Sequence, residues 1–80
     1  MPTVLKEKEF RFFFFENDRE ETPHIHVELD NKYAIFWLRP LELEKSIGYT
    51  AGEINEIKNL LKVNMAAAME KWNEYFTSQD

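Results

Sequence analysis

The sequence lacks cysteine altogether, and its 80 residues include only two glycines and three prolines. Without cysteine, neither a disulfide framework nor a thiolate metal site can form, and the composition fits a reducing cytoplasm. No apolar run approaches the ~18 residues that a membrane span requires, and the N-terminus carries no signal-peptide pattern. We therefore expect a cytoplasmic protein without a membrane segment, and the shortage of glycine and proline leaves little room for long loops.

Basic residues are also in deficit, with 10 Lys and Arg against 15 Asp and Glu, and the net charge is −5. Binding to nucleic acid relies on neutralising phosphates, so this balance argues against a nucleic-acid partner despite a small basic cluster at Lys6, Lys8 and Arg11. The length allows one domain, residues 1–80. Chains this short often need a disulfide, a metal ion or oligomerisation for stability. Because seven Phe, three Tyr and two Trp residues exceed what one small core needs, we expect a metal ion or a protein partner.

The segment Phe10–Phe15 is apolar on both sides of a predicted strand, which indicates a strand covered on both faces. Residues Thr3–Lys6 can form a short strand before it. The following segment, Glu16–Thr22, lacks apolar side chains and predicts a loop.

A hairpin follows, in which apolar and polar residues alternate strictly from His24. Asp30 and Asn31 tolerate positive φ and predict a two-residue turn that sets the register. Antiparallel pairing then sorts the side chains onto two faces. The predicted pairs are Leu29–Lys32, Val27–Ala34 and Ile25–Phe36 on one face, and Glu28–Tyr33, His26–Ile35 and His24–Trp37 on the other.

The alternation resumes in Leu41–Glu44, after the break at Arg39 and Pro40. A tight turn would place Glu42 beside Trp37 and Glu44 beside Ile35 on the face of the histidines. A wider turn or a bulge at Pro40 is the alternative.

The C-terminal part of the sequence predicts one long helix. Thr50 and Glu53 form a capping box, and apolar residues then recur every three or four positions through Asn64, which predicts about 26 helical residues ending at Phe76. A frayed tail, 77–80, follows. The predicted fold class is α+β, a three- to four-stranded antiparallel meander with one long C-terminal helix packed on one face. The predicted core is Ile25, Val27, Leu29, Ala34, Phe36, Leu38, Leu41 and Leu43 against Ile54, Ile57, Leu61, Met65, Ala68 and Trp72.

A helix of that length overhangs strands of six or seven residues. We expect its distal end, with Trp72, Tyr75 and Phe76, to be exposed unless the N-terminal segment or a partner covers it. A single helix also leaves the opposite sheet face uncovered, and a large exposed apolar patch indicates an interface. We therefore predict a homo-oligomer or a small protein partner. The predicted binding face comprises His24, His26, Glu28, Tyr33, Ile35 and Trp37.

The two histidines, His24 and His26, stand two residues apart on one face, ~6.7 Å between their Cβ atoms. That spacing can chelate one divalent transition metal ion, with a third ligand from Asp18, Glu42 or a symmetry-related chain. One alternative is a general acid–base role in a small hydrolase or nuclease. Another is a structural role, as surface residues packed beside the neighbouring strand. No nucleophile pair, phosphate loop or basic cluster accompanies the histidines, so enzymatic activity stays open, and no cofactor beyond such a metal is expected.

Several motifs occur together in this chain. The most specific is Pro-His-aliphatic-His at Pro23, His24, Ile25 and His26. The others are the opening Met-Pro-Thr, the aromatic strand Phe10–Phe15, Asn17-Asp18, Phe36-Trp37-Leu38, Pro40 and the closing Trp72-Asn73-Glu74-Tyr75-Phe76. From Met1 to about Phe76 the chain thus resembles the short bacterial proteins of the domain-of-unknown-function 4160 family.

The loop before the histidines departs from the family pattern, which commonly reads Asp-His-x-Pro-Pro. Arg19 stands where that histidine would be, Thr22 replaces the first proline, and the loop is one residue longer. If the family's third histidine is a ligand or a catalytic group, this chain lacks it.

The resemblance implies a partner, because members of the family are often encoded beside another small protein, as in toxin–antitoxin pairs. We therefore predict an interaction protein of such a pair. The alternative is a metal-binding protein or hydrolase that uses His24 and His26.

Overall fold

The computed structural model describes residues 3–14 and 22–77. Five strands follow one another in a single antiparallel meander, and two helices come after them, which confirms the predicted α+β class. Phe15, Asp18, the remainder of the predicted loop up to residue 21 and the tail 78–80 lie outside the described residues. The strands are β1 Thr3–Glu7, β2 Phe10–Phe13, β3 His24–Leu29, β4 Lys32–Leu38 and β5 Leu41–Ile47, and the helices are α1 Ala51–Val63 and α2 Met65–Thr77.

The hairpin of β3 and β4 has the predicted register, because each of the six pairs from His24–Trp37 to Leu29–Lys32 is present. Its turn residue Asp30 has a φ of 54°, in the left-handed region that Asp adopts more readily than most residues. The register fixes which side chains of β3 share a face with those of β4.

The pairing of β4 with β5 follows the prediction at first, with Glu42 opposite Trp37. A shift in register between Ile35 and Phe36 then places Lys45 opposite Ile35, so the prediction of Glu44 at that position was wrong. The physical reason is a β-bulge, in which one extra residue of one strand reverses the face on which the following side chains lie.

The sheet has more strands than predicted because β1 pairs with β2, through a turn in which Lys8 has a φ of 56°. Strand β2 consequently lies between β1 and β3. Phe12 and Phe13 point to opposite faces, and both are buried. Both faces of this aromatic strand are therefore covered, as its composition predicted.

The prediction of one long helix was wrong, because Asn64 separates α1 from α2 with φ −104° and ψ 15°. Its side-chain Nδ2 donates to the Leu60 carbonyl at 2.8 Å, and its backbone N–H donates to the same oxygen at 3.0 Å. Asparagine side chains compete for backbone groups in this way and disfavour a helix interior. The predicted capping box of Thr50 and Glu53 is present, and α2 extends one residue past Phe76.

The core lies between the helices and one face of the sheet, where Ile25, Val27, Phe36, Ile57 and Leu61 are fully buried. Most of the predicted core residues are in this cluster or pack against it. Leu43 was predicted there but is 43% exposed, because β5 is an edge strand. The core residues that the prediction omitted are Phe10, Phe12, Phe14, Tyr49, Leu60, Met69, Tyr75 and Phe76.

The distal part of the helical segment is covered rather than exposed. Trp72 and Phe76 are buried, and Phe14 packs edge-on against Trp72 with ring centroids 5.0 Å apart. Phe76 lies 5.9 Å from the same Phe14 ring. The N-terminal segment is therefore the cover, which is one of the two possibilities that the sequence left open.

Candidate functional site

The sheet face opposite the core carries both histidines together with aromatic and charged side chains. Because side chains alternate along a strand, the neighbours of Ile25, Val27 and Phe36 point away from α1. We call this surface the histidine face and define it by Phe13, His24, His26, Glu28, Tyr33, Ile35 and Trp37. The register of β2, β3 and β4 places these residues on a common face.

His26 lies within an aromatic stack. Its ring is 5.4 Å from that of Phe13 at an interplanar angle of 19°, and 5.8 Å from that of Tyr33 at 25°. Its Nδ1 is 2.5 Å from the Tyr33 hydroxyl, which can either donate to or accept from an imidazole. The stack and the hydrogen bond together fix the orientation of His26.

His24 is oriented by the backbone and by three rings. Its Nδ1 lies 2.8 Å from the Thr22 carbonyl oxygen, and since a carbonyl only accepts, Nδ1 carries a proton and donates. Its ring is 5.2 Å from that of His26 and 5.6 Å from those of Trp37 and Trp72. A histidine whose ring is held by a backbone carbonyl in this way has a defined tautomer at Nδ1.

Both histidines are only 4% exposed, so their interpretation as surface residues was wrong. Trp72 of α2 packs on His24, and Phe13 stacks on His26. Neither contact could be inferred from the β3–β4 hairpin alone, because Trp72 and Phe13 belong to other elements.

Arg11 joins the site, although it was considered only as part of a basic cluster. Its Nη1 is 2.6 Å from Glu28 Oε1, and its guanidinium carbon is 4.8 Å from the centroid of the Phe13 ring. The guanidinium is thus held by a carboxylate and an aromatic face at once. One indication of this part of the face was present in the sequence. The run Phe10–Phe15 is apolar on both sides of its strand, so some of its phenylalanines had to lie on the face away from the helices.

The accessible part of the histidine face lies along β4, where Tyr33, Ile35 and Trp37 are half-buried. Strand β5 continues this face, and its Ile47, opposite Tyr33, is 51% exposed. The result is a band of apolar side chains that reaches the edge of the sheet.

Among the described residues, His24, His26 and Glu42 do not form a three-ligand metal site. Glu42 is opposite Trp37 on β5, so β4 separates it from His24, at about two strand spacings or ~9.6 Å. Asp18, the other predicted third ligand, lies outside the described residues. Within residues 3–14 and 22–77, no group of three His, Cys, Asp or Glu side chains could hold a metal ion.

Tyr49 and Glu53, on the helix side of the sheet, have shifted pKa values. Burial raises the pKa of Tyr49 to about 12, and its hydroxyl donates to the Val27 carbonyl at 3.3 Å. Hydrogen bonds from Lys32 and from the Thr50 backbone lower the pKa of Glu53. Glu53 caps the start of α1, and the charge of Glu28 contributes to the raised pKa of Tyr49.

Fold and site together define a class of small α+β protein, an antiparallel meander with a helical layer on one face and a histidine pair on the other. The family described as a domain of unknown function (DUF4160) matches residues 9–73, and the chain belongs to this family. The comparisons with curated proteins and with solved structures found no match. In the described ranges, no helix is long and apolar enough to cross a membrane.

Proposed function

We propose that this protein is a bacterial interaction protein, one component of a toxin–antitoxin-like pair, and that it binds its partner through the histidine face. The observation that carries the proposal is the apolar band of Tyr33, Ile35, Trp37 and Ile47. Contiguous apolar surface on a small protein marks a site of interaction, and tryptophan and tyrosine are enriched among residues that dominate binding energy.

The partner we propose is a small basic protein encoded beside this one. The chain carries a net charge of −5, so two copies repel each other, whereas a basic partner is attracted and its association accelerated. A homo-oligomer through the same face is the competing outcome, and the oligomeric state of the isolated chain distinguishes the two.

Co-expression with the neighbouring gene product tests the proposal, with growth and co-purification measured together. Ile47→Lys places a charge in the apolar band and should weaken partner binding about tenfold, the size of loss seen for the minority of interface residues that carry most of the binding energy. Val63→Lys is the matched control, because Val63 is 83% exposed and lies on α1.

The expected result is a complex that Val63→Lys retains and Ile47→Lys loses. Absence of any complex with the wild-type protein would contradict the proposal, as would equal binding by the two variants. Growth arrest by one gene alone, relieved by the other, would identify which component is the toxin.

The alternative, a metal-binding protein or hydrolase centred on His24 and His26, has its own test in elemental analysis of tag-free protein. Stoichiometric metal in the wild type, lost in a His24→Ala/His26→Ala variant that remains folded, would favour this alternative over a pure interaction protein.

A further inference from the structure

The histidine face already contains one complete site for a cation. The guanidinium of Arg11 lies over the Phe13 ring, 4.8 Å from its centroid, and is paired with Glu28 at 2.6 Å. Phe13 lies on β2 and Glu28 on β3, so an aromatic ring and a carboxylate from neighbouring strands hold the cation between them. This face therefore holds a cation by pairing it with a carboxylate and placing it over an aromatic ring.

A second pair of the same composition lies at the other side of the face. Trp37 on β4 and Glu42 on β5 are directly opposite each other in the register, which puts their Cβ atoms about 4.5–5.5 Å apart on one face. Trp37 is half-buried and Glu42 is exposed. On the side away from Glu42, His24 packs against the Trp37 ring with centroids 5.6 Å apart, and so limits how the indole can turn.

As far as the structure describes the chain, this second pair holds no cation, unlike the first. Among residues 3–14 and 22–77, no ion pair to Glu42 and no cation–π contact to Trp37 is found. Neither Arg39, in the turn between β4 and β5, nor Lys45, opposite Ile35, forms an ion pair with Glu42 in the described chain.

We propose that Trp37 and Glu42 form a binding site for an arginine or lysine side chain of the partner protein. The inference rests on the proposed function and deepens it, because it names the chemistry by which a basic partner is recognised. Tryptophan gives the strongest cation–π interaction of the aromatic side chains. A planar guanidinium can stack on the indole and donate to the carboxylate at the same time, so arginine is favoured over lysine.

The site can be tested without the natural partner, by titrating 15N-labelled protein with the peptide acetyl-Gly-Arg-Gly-amide. The indole N–H resonance of Trp37, assigned with Trp37→Phe, is expected to shift in a saturable manner. The buried Trp72 provides an internal reference that should not shift. The analogue acetyl-Gly-Gln-Gly-amide lacks the charge and should leave both resonances unchanged.

Glu42→Gln removes the carboxylate and is expected to weaken peptide binding about fivefold, the upper range for an exposed ion pair. The matched control is Glu44→Gln, which removes the same charge from the bulge of β5, where no residue of β4 stands opposite. Equal responses to the arginine and glutamine peptides, or equal losses in the two variants, would overturn the inference.

The partner protein supplies the second arm of the test. If it binds the wild type and Glu44→Gln equally but Glu42→Gln about fivefold more weakly, the inference is supported in the complex. If it binds all three equally, the inference fails while the proposed function stands. If the arginine peptide binds in the Glu42-dependent manner but no protein partner is captured, the cation site stands and the proposed function fails.

Discussion

At the scale of single residues, the hydrogen bond between His26 and Tyr33 is the most consequential polar contact on the histidine face. Its Nδ1–hydroxyl distance is 2.5 Å, and His26 is buried. Leaving one partner of a buried hydrogen bond unsatisfied costs more than the bond contributes, whereas replacing both partners with apolar groups of similar shape can be nearly neutral.

Tyr33→Phe tests this asymmetry, since it removes the hydroxyl and keeps the ring that stacks on His26. We expect it to lower the free energy of unfolding by about 1–2 kcal/mol in urea titrations. The double variant His26→Phe/Tyr33→Phe should be destabilised by less than the sum of the two single substitutions. Additivity to within ~0.5 kcal/mol would show that the two side chains do not act as a pair.

The cross-strand neighbours of the histidines could be predicted from sequence, but the burial of the histidines could not. Strict alternation and a two-residue turn sufficed to place His24 opposite Trp37 and His26 opposite Ile35, because both are local properties of a hairpin. Burial of the histidines depends on Phe13 and on Trp72, and the latter is 48 residues away from His24 in the chain. Nothing in the alternation of β3 reports on contacts of that separation.

At the scale of elements, the start of α1 combines two interactions in one side chain. Glu53 Oε1 accepts from the Thr50 backbone N–H at 2.9 Å, and Glu53 Oε2 accepts from Lys32 Nζ at 2.7 Å. The capping box was readable from four consecutive residues, but the link to Lys32 required the fold. The Glu53 carboxylate therefore holds the helix to the β3–β4 hairpin as well as capping it.

The hydrogen bonds to Glu53 predict a specific dependence of stability on pH. Its folded-state pKa lies below the ordinary value of 4.5, chiefly because Lys32 donates to it. The stabilisation is therefore present above pH 4.5 and is lost as the pH falls through the lowered pKa. Glu53→Gln should show a smaller loss of stability on acidification than the wild type, measured by urea unfolding at several pH values. Glu70→Gln, on the exposed side of α2, should retain the wild-type pH dependence, and a change there would contradict the assignment to Glu53.

Two breaks in regular elements could not be predicted from pattern. The apolar stripe continues from Leu61 to Met65 and Ala68 although the helix is interrupted at Asn64, because a one-residue break hardly changes which side chains face the sheet. The sequence pattern does not reveal the bulge in β5 either, because Glu44 and Lys45 are both polar and either could stand opposite Ile35. Hydrophobic periodicity reports the face of an element, not its continuity.

At the scale of the whole molecule, the aromatic residues solve the problem of a sheet with two apolar faces. Isoleucine, valine and phenylalanine side chains on one face pack on α1, while Phe13, the histidines and Tyr33 pack on one another across the other face. Many of the aromatic residues that exceed the needs of one core are therefore buried by contacts within the chain. What remains accessible is the narrower band along β4 and β5, and this is why the proposed interface is centred on Ile35, Trp37 and Ile47 rather than on the histidines.

Trp72 connects these two layers, because its ring lies 5.0 Å from Phe14 in the core and 5.6 Å from His24 on the histidine face. Trp72→Ala should therefore cost about 3–5 kcal/mol, a large part of the ~4–12 kcal/mol expected for a domain of this size. Trp72→Phe retains an aromatic ring and should be intermediate in urea unfolding. It should also shift the imidazole NMR signals of His24. The control is Val63→Ala, at an exposed position of α1, which should change stability by no more than ~0.5 kcal/mol. Unchanged His24 signals in Trp72→Phe, or a Trp72→Ala variant as stable as Val63→Ala, would show that α2 does not support the histidine face.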